Sequence, residues 1–187
     1  MNAIHRKVCS SRRWGRAVSE SIIPWTLEGI DLGADVLEIG PGFAATTRVL
    51  VQWPGRLTAL EIDPASAQRL TAEFGDRVRI VEGDGTAMPF PDGSYSGVVC
   101  FTMLHHVPSP ELQDRLFAEA VRVLRPGGVF AGSDSQPSLV MTLIHLRDTL
   151  VPLPPDTLER RLTDAGLAEV EVTARPGRVR FRGVKPG

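Results

Sequence analysis

Val36-Leu37-Glu38-Ile39-Gly40-Pro41-Gly42 sets an apolar, β-branched run directly before two glycines, and the rest of the chain is read outward from this stretch. The run has the composition of a strand buried in a sheet. Gly40 and Gly42 let the backbone turn sharply and come close to a ligand, because no Cβ stands in the way. Phe43 to Trp53 continues with helix-compatible spacing, although Phe43 is bulky for such a turn. The unit predicts strand, glycine turn and helix, the layout of a loop that holds a nucleotide-type ligand.

Outward from this loop, short β-rich runs at Ala34–Ile39, Arg56–Glu61, Arg77–Val81, Ser96–Phe101 and Gly128–Gly132 alternate with polar, turn-like or helically spaced stretches. The alternation predicts an α/β fold, a Rossmann-like doubly wound sheet that is mostly parallel, with crossover helices on both faces. From Pro110 to Leu124, Leu112, Leu116, Phe117, Ala120, Val123 and Leu124 share one helical face, and Arg125-Pro126-Gly127-Gly128 stops the helix. A second helix is expected from an N-cap at Asp156 through Ala165, with Gly166 as its stop. Glu169–Thr173 and Arg178–Arg182 then read as a hairpin around Arg175-Pro176-Gly177 at the sheet's edge. There Arg178, Arg180 and Arg182 share one face as edge protection, while Val179 and Phe181 face the core. Upstream, Val18, Ile22, Trp25, Leu27 and Ile30 suggest an amphipathic helix interrupted near Pro24.

With 187 residues, 42% apolar and 23% charged, the chain fits one domain with one substantial core. Residues 1–33 form an N-terminal helical segment of that domain, 34–133 a cofactor-binding core, and 134–187 a substrate-side segment and C-terminal hairpin. The formal charge of -1 argues against a polyanionic partner, so no nucleic acid is expected. Cys9 and Cys100 form no Cys-x-x-Cys pair, which points to a reducing, cytoplasmic setting. No apolar run suits a signal peptide or a membrane span, so no membrane association is expected.

Ala45 occupies the third position of a G-x-G-x-x-G/A fingerprint, so the loop alone leaves NAD and S-adenosylmethionine (SAM) both open. Glu61 ends the second strand 21 positions after Gly40, the spacing at which a carboxylate reaches ribose hydroxyls in either case. Asp84, in Gly83-Asp84-Gly85-Thr86, suits either an adenine amino group or a turn satisfied by its own backbone. The ordered set Glu38-Ile39-Gly40-Pro41-Gly42, Glu61-Ile62-Asp63, Gly83-Asp84-Gly85, Phe90-Pro91-Asp92-Gly93-Ser94-Tyr95-Ser96 and Leu124-Arg125-Pro126-Gly127-Gly128 resembles the class I SAM-dependent methyltransferases, particularly their small-molecule branch. It covers roughly residues 34 to 133, and Ser96 stands where that family usually has Asp.

The resemblance implies SAM as cofactor and a last strand that runs antiparallel. It implies that Glu38 and the backbone of Gly40 and Gly42 hold the methionine part, that Glu61 binds the ribose and Asp84 with Gly85 the adenine, and that Ile62 packs on the adenine face. The chain at Phe101 and Thr102 would close over the methionine amino group.

The sulfonium already activates its methyl, so a protein that uses SAM must mainly align the acceptor and exclude water. Where the acceptor must lose a proton, His105 and His106 after the fourth strand are candidate bases, with a structural role equally open. His145 reads as packing or pocket lining. The apolar stretch Leu139 to Leu153, with Val140, Met141, Leu143, Ile144, Leu146, Leu150 and Val151, suits a wall for a hydrophobic acceptor or a helix packed on the sheet. Arg12, Arg13 and Arg16 read as a solvated cluster, with Arg16 the alternative partner for a SAM carboxylate. No cluster of Asp, Asn and His stands at ligand spacing beside the fourth strand, so no metal is expected. The expected activity is methyl transfer from SAM to a small, partly apolar molecule. The rivals are a non-catalytic SAM- or adenosine-binding module and a nucleotide-dependent oxidoreductase. A Tyr-x-x-x-Lys dehydrogenase is excluded, since the sole tyrosine, Tyr95, is followed by Val99.

Overall fold

The structure is a computed structural model, and it describes residues 2–145 and 148–187. Seven strands form one sheet in the order β3-β2-β1-β4-β5-β7-β6: β1 (Asp35–Ile39), β2 (Arg56–Glu61), β3 (Val78–Glu82), β4 (Tyr95–Phe101), β5 (Leu124–Ser135), β6 (Ala168–Arg175) and β7 (Arg178–Val184). The pairs linking β1 to β5 are all parallel, and β7 runs antiparallel to both β5 and β6.

Successive side chains along a strand point to opposite faces, and the two cores divide accordingly. Leu37, Ile39, Val98 and Cys100 pack on one face against Leu116, Phe117 and Ala120 of α6 (Pro110–Val123) and Leu158 and Leu162 of α8 (Pro155–Asp164). Val36, Val99 and Phe101 pack on the other against Leu70 and Phe74 of α5 (Pro64–Phe74) and against Val18, Ile22 and Ile23 of the N-terminal segment. Glu38 falls on this second face by the same alternation. That segment comprises α1 (Ala3–Cys9), α2 (Arg12–Ala17), a π-helical turn at Val18–Ile22 and α3 (Ile23–Thr26). Pro24 has no N–H and its ring crowds the preceding turn, and the wider π turn just before it keeps the helix running where a break was expected.

Four further expectations need correction. The helix after the glycine turn, α4, spans only Thr47–Leu50, because Ala44 adopts φ 63° and interrupts helical geometry at its start. The fifth strand is twelve residues long and begins directly at the end of α6. Pro154 caps α8, and Asp156 lies inside its first turn, where it favours the positive end of the helix. β7 is not an edge strand, so its arginines protect no edge. Arg180 instead donates to Trp25 O, and Arg182 pairs with Glu171 on β6.

Ser96 takes a structural role at the start of β4. Its hydroxyl accepts from Asp35 N–H at 2.9 Å and bonds Leu32 O at 2.8 Å, tying β4 to the entry of β1. Leu146 of the apolar stretch after β5 lies outside the described residues. Within that stretch, α7 (Leu139–Ile144) forms a short helix, Leu143 is exposed, and Leu153 is fully buried against the sheet.

Candidate functional site

In an open parallel sheet, ligands bind beyond the carboxyl ends of the strands where the strand order reverses, and here that point lies between β1 and β4. Gly40 and Gly42 sit at the end of β1 with φ 67° and 52°, a region that favours glycine. A Cβ on Gly40 would meet Met103 at 3.0 Å, whereas one on Gly42 would meet nothing within 4 Å. A cavity of about 100 Å³ is lined by Gly40, Gly42, Trp14, Thr102, Met103 and His106 among others.

Glu61 ends β2 beside this loop. Its Oε2 accepts from Gly42 N–H at 3.0 Å and its Oε1 from Asp63 N–H at 3.0 Å, so the carboxylate and the glycine turn hold each other in place. Arg69 of α5 donates to Gly42 O at 2.9 Å and stacks over the ring of Phe43 at 5.1 Å, and Phe43 lines the cavity beside the glycine turn. Ile62 is 65% exposed, an apolar side chain standing in the open next to Glu61. Asp84 is exposed and its Oδ1 accepts from Thr86 N–H at 2.8 Å, the self-satisfied turn geometry. Gly85 is packed closely: a Cβ there would meet Leu116 at 3.1 Å and Ile39 at 3.2 Å.

Glu38 is buried and turned inward. The Thr46 hydroxyl donates to its Oε1 and the Thr47 hydroxyl to its Oε2, the latter at 2.8 Å. Burial pushes its carboxyl up to about 7, against the lowering pull of the two hydroxyls, and the nearby Glu61 adds to the rise. Two threonines eight and nine positions downstream were the signal for this partnership, and sequence reasoning missed them.

Phe101 is buried at the end of β4, and Thr102 follows with φ 50° while its N–H donates to Ser133 O at 2.7 Å. The two histidines beyond diverge. His106 borders the cavity, whereas His105 is buried behind it. His105 Nδ1 contacts Asp134 Oδ1 at 2.5 Å and its Nε2 lies 3.1 Å from His145 Nε2. Burial alone would raise the Asp134 carboxyl, but His105 and the N–H groups of Ser135 and His105 outweigh it and hold the group below the ordinary range. His145 therefore joins the two expected histidines, with one ligand-capable atom of each ring within 4.8 Å of the others. Spacing beside β4 gave no sign of this cluster, because His145 and Asp134 come from other elements. Arg16 is well exposed and faces Glu20 at 3.5 Å, the solvated arrangement.

Residues 37–132 match the family described as methyltransferase domain, a little over half of the chain. The chain belongs to the class I SAM-dependent methyltransferases. Sterol 24-C-methyltransferase ERG6B of Gibberella zeae is 36% identical over 108 residues, covering 54% of this chain and 28% of that protein. Among solved structures, a chain of the Haloferax volcanii complex with the Trm112 methyltransferase activator superposes with TM-score 0.73 at 17% identity, covering 100% of this chain and 99% of that one. PigF with SAH superposes with TM-score 0.69 at 22% identity, covering 91% and 56%. The chain spans between 28% and 51% of the length of the first curated relatives it matches. The methyltransferase family matches the expected cofactor chemistry and the expected sheet, with its antiparallel strand supplied by β7.

Proposed function

We propose that this methyltransferase-family protein transfers a methyl group from SAM to a small, partly apolar acceptor in the cytoplasm. The observation that carries the reading is the joint at the switch point, where the Glu61 carboxylate, the open face of Gly42 and the exposed Ile62 side chain stand together at the ends of β1 and β2. The residues present fit an adenosine-bearing group: a carboxylate for vicinal hydroxyls, an apolar side chain for a flat base, and a turn that no Cβ obstructs. Asp84 and the Gly85 backbone would complete the adenine contacts. Gly40 and the chain at Phe101 and Thr102 would border the methionine part, with Glu38 acting through the threonines that fix the loop.

When bound, SAM supplies a methyl already activated by positive sulfur. The chain's own task is then to hold the acceptor in line and to exclude water. Met103 over Gly40, and Trp14 from the N-terminal segment, supply apolar cover for that purpose. His106 is the imidazole bordering the cavity, and His105 lies too deep to meet an acceptor there.

Calorimetric titration of the purified chain with SAM, S-adenosylhomocysteine and NAD, repeated on Glu61→Ala, tests the reading. The expected result is binding of both sulfur ligands, weakened at least about tenfold in the variant by loss of a charged hydrogen-bond acceptor. Binding of NAD alone would overturn it.

A further inference from the structure

Three imidazoles from two separate parts of the chain meet beneath the cavity. His105 and His106 come from the turn after β4, and His145 caps the C-terminus of α7, with ring centroids 4.1, 4.9 and 5.2 Å apart. His105 and His145 are 3% and 4% exposed. The protons on these two rings follow from their partners. Asp134 is fully buried, and its carboxylate can only accept, so the Nδ1 of His105 carries the hydrogen that spans the 2.5 Å contact. Met141 O is likewise an acceptor only, so His145 Nδ1 carries the hydrogen across its 2.8 Å contact. In their neutral forms the two rings would carry their lone pairs on Nε2, and those two atoms lie 3.1 Å apart. Nitrogens held at that separation can share one cation, a proton or a metal ion.

A shared proton bridges two nitrogens, whereas a metal ion can also take the third ring, whose ligand atom lies within 4.8 Å of the others. We propose instead that His105, His106 and His145 bind a divalent transition-metal ion of the zinc class. Neutral imidazole nitrogen suits such ions, whose bonds of about 2.0–2.1 Å place tetrahedral ligand atoms roughly 3.3 Å apart. The Nε2 pair of His105 and His145 already meets that spacing, and the His106 ligand atom lies within 4.8 Å of both, a ring rotation away. Asp134 and Met141 O then act as the outer partners that fix each tautomer and aim each Nε2, the usual accompaniment of metal-bound histidine. The site would clip α7 to the turn that carries His106, beside the cavity. It would also make His106 a metal ligand rather than a proton acceptor.

The test requires no SAM, so its failure is distinct from failure of the methyl-transfer reading. The 187-residue chain, stripped with a chelator, is titrated with Co2+ while visible ligand-field absorption is followed, and Zn2+ is then added. The expected result is a band that saturates at one equivalent of Co2+ and is abolished by one equivalent of Zn2+. His106→Ala lies at the edge of the cluster and leaves the buried pair intact, so it should still fold, with Co2+ affinity reduced at least about tenfold. Asp134→Asn, with its fold checked by circular dichroism, should weaken binding by about 10- to 100-fold while all three ligands remain. Absence of a saturable band in the wild-type chain, or unchanged affinity in His106→Ala, overturns the proposal.

Discussion

Burial raises the Glu38 carboxyl from its ordinary 4.5 to about 7, so the folded chain binds a proton that the unfolded chain has released anywhere between those values. The stabilisation belongs to the protonated form. It is fully present below about pH 4.5 and is lost as pH rises through about 7, and the gap corresponds to roughly 3 kcal/mol. Glu38→Gln keeps the neutral shape and removes the titration. Urea unfolding from pH 5 to pH 8 should show the wild type losing stability relative to the variant by a few kcal/mol across that window; parallel curves would show that the Thr46 and Thr47 hydroxyls stabilise the charged form fully. Thr102 carries strain of a different kind, because a β-branched residue at φ 50° crowds its own backbone. Thr102→Gly should raise the urea midpoint by the equivalent of about 1 kcal/mol, the strain relieved less the entropy that glycine adds to the unfolded chain. A lowered midpoint would mean that the threonine side chain contributes more than its backbone costs.

The central strands depend on close approach as much as on apolar composition. A Cβ on Gly132 in β5 would stand 2.6 Å from Cys100 O on β4 and 2.7 Å from the Phe181 ring on β7. Phe181 itself packs edge-on to Phe130 at 5.0 Å, so it has little room to yield. Gly132→Ala is therefore expected to cost about 2 kcal/mol or more, read as a drop in thermal midpoint with the far-ultraviolet spectrum of the remaining native state unchanged. β1, β2 and β4 were legible because both their faces are buried and their runs are largely apolar, and β3, though half exposed, was legible from Val78, Ile80 and Val81. Glu61 was legible for a related reason, as a charge placed at the end of a buried strand at a fixed distance from the glycine turn. Features that depend on neighbours were not. The period of β7 shows which face Val179 and Phe181 occupy, but not that β6 lies outside it and removes the need for edge protection. The short α4 follows from a single positive φ at Ala44, an alanine that no propensity marks as a helix breaker. His145 was read as packing or pocket lining because its ring partner His105 is 40 positions away and only the fold brings the two together.

At the scale of the whole molecule, the chain's two ends are fastened to each other across the sheet. Trp25 of α3 lies against the C-terminal hairpin with the Arg175 guanidinium 4.0 Å and the Arg180 guanidinium 5.1 Å from its ring centroid. Arg180 also donates to Trp25 O and pairs with Glu28 at 3.3 Å, while Arg175 bonds Ser21 at 3.2 Å. A cation over an aromatic face contributes about 0.5–2 kcal/mol, and loss of a half-buried tryptophan removes packing area as well. The same N-terminal segment supplies Trp14 to the cavity wall, so this clasp links global stability to the cover over the cofactor site. Trp25→Ala should accordingly speed amide exchange through residues 12–26 while β1, β2 and β4 keep their protection, since those strands hold each other through parallel ladders that the clasp does not touch. Affinity for S-adenosylhomocysteine should fall in the same variant by roughly tenfold, the cost of ordering a loosened cover at the moment of binding. Faster exchange with unchanged affinity would place the N-terminal segment outside the binding event and leave its role purely structural.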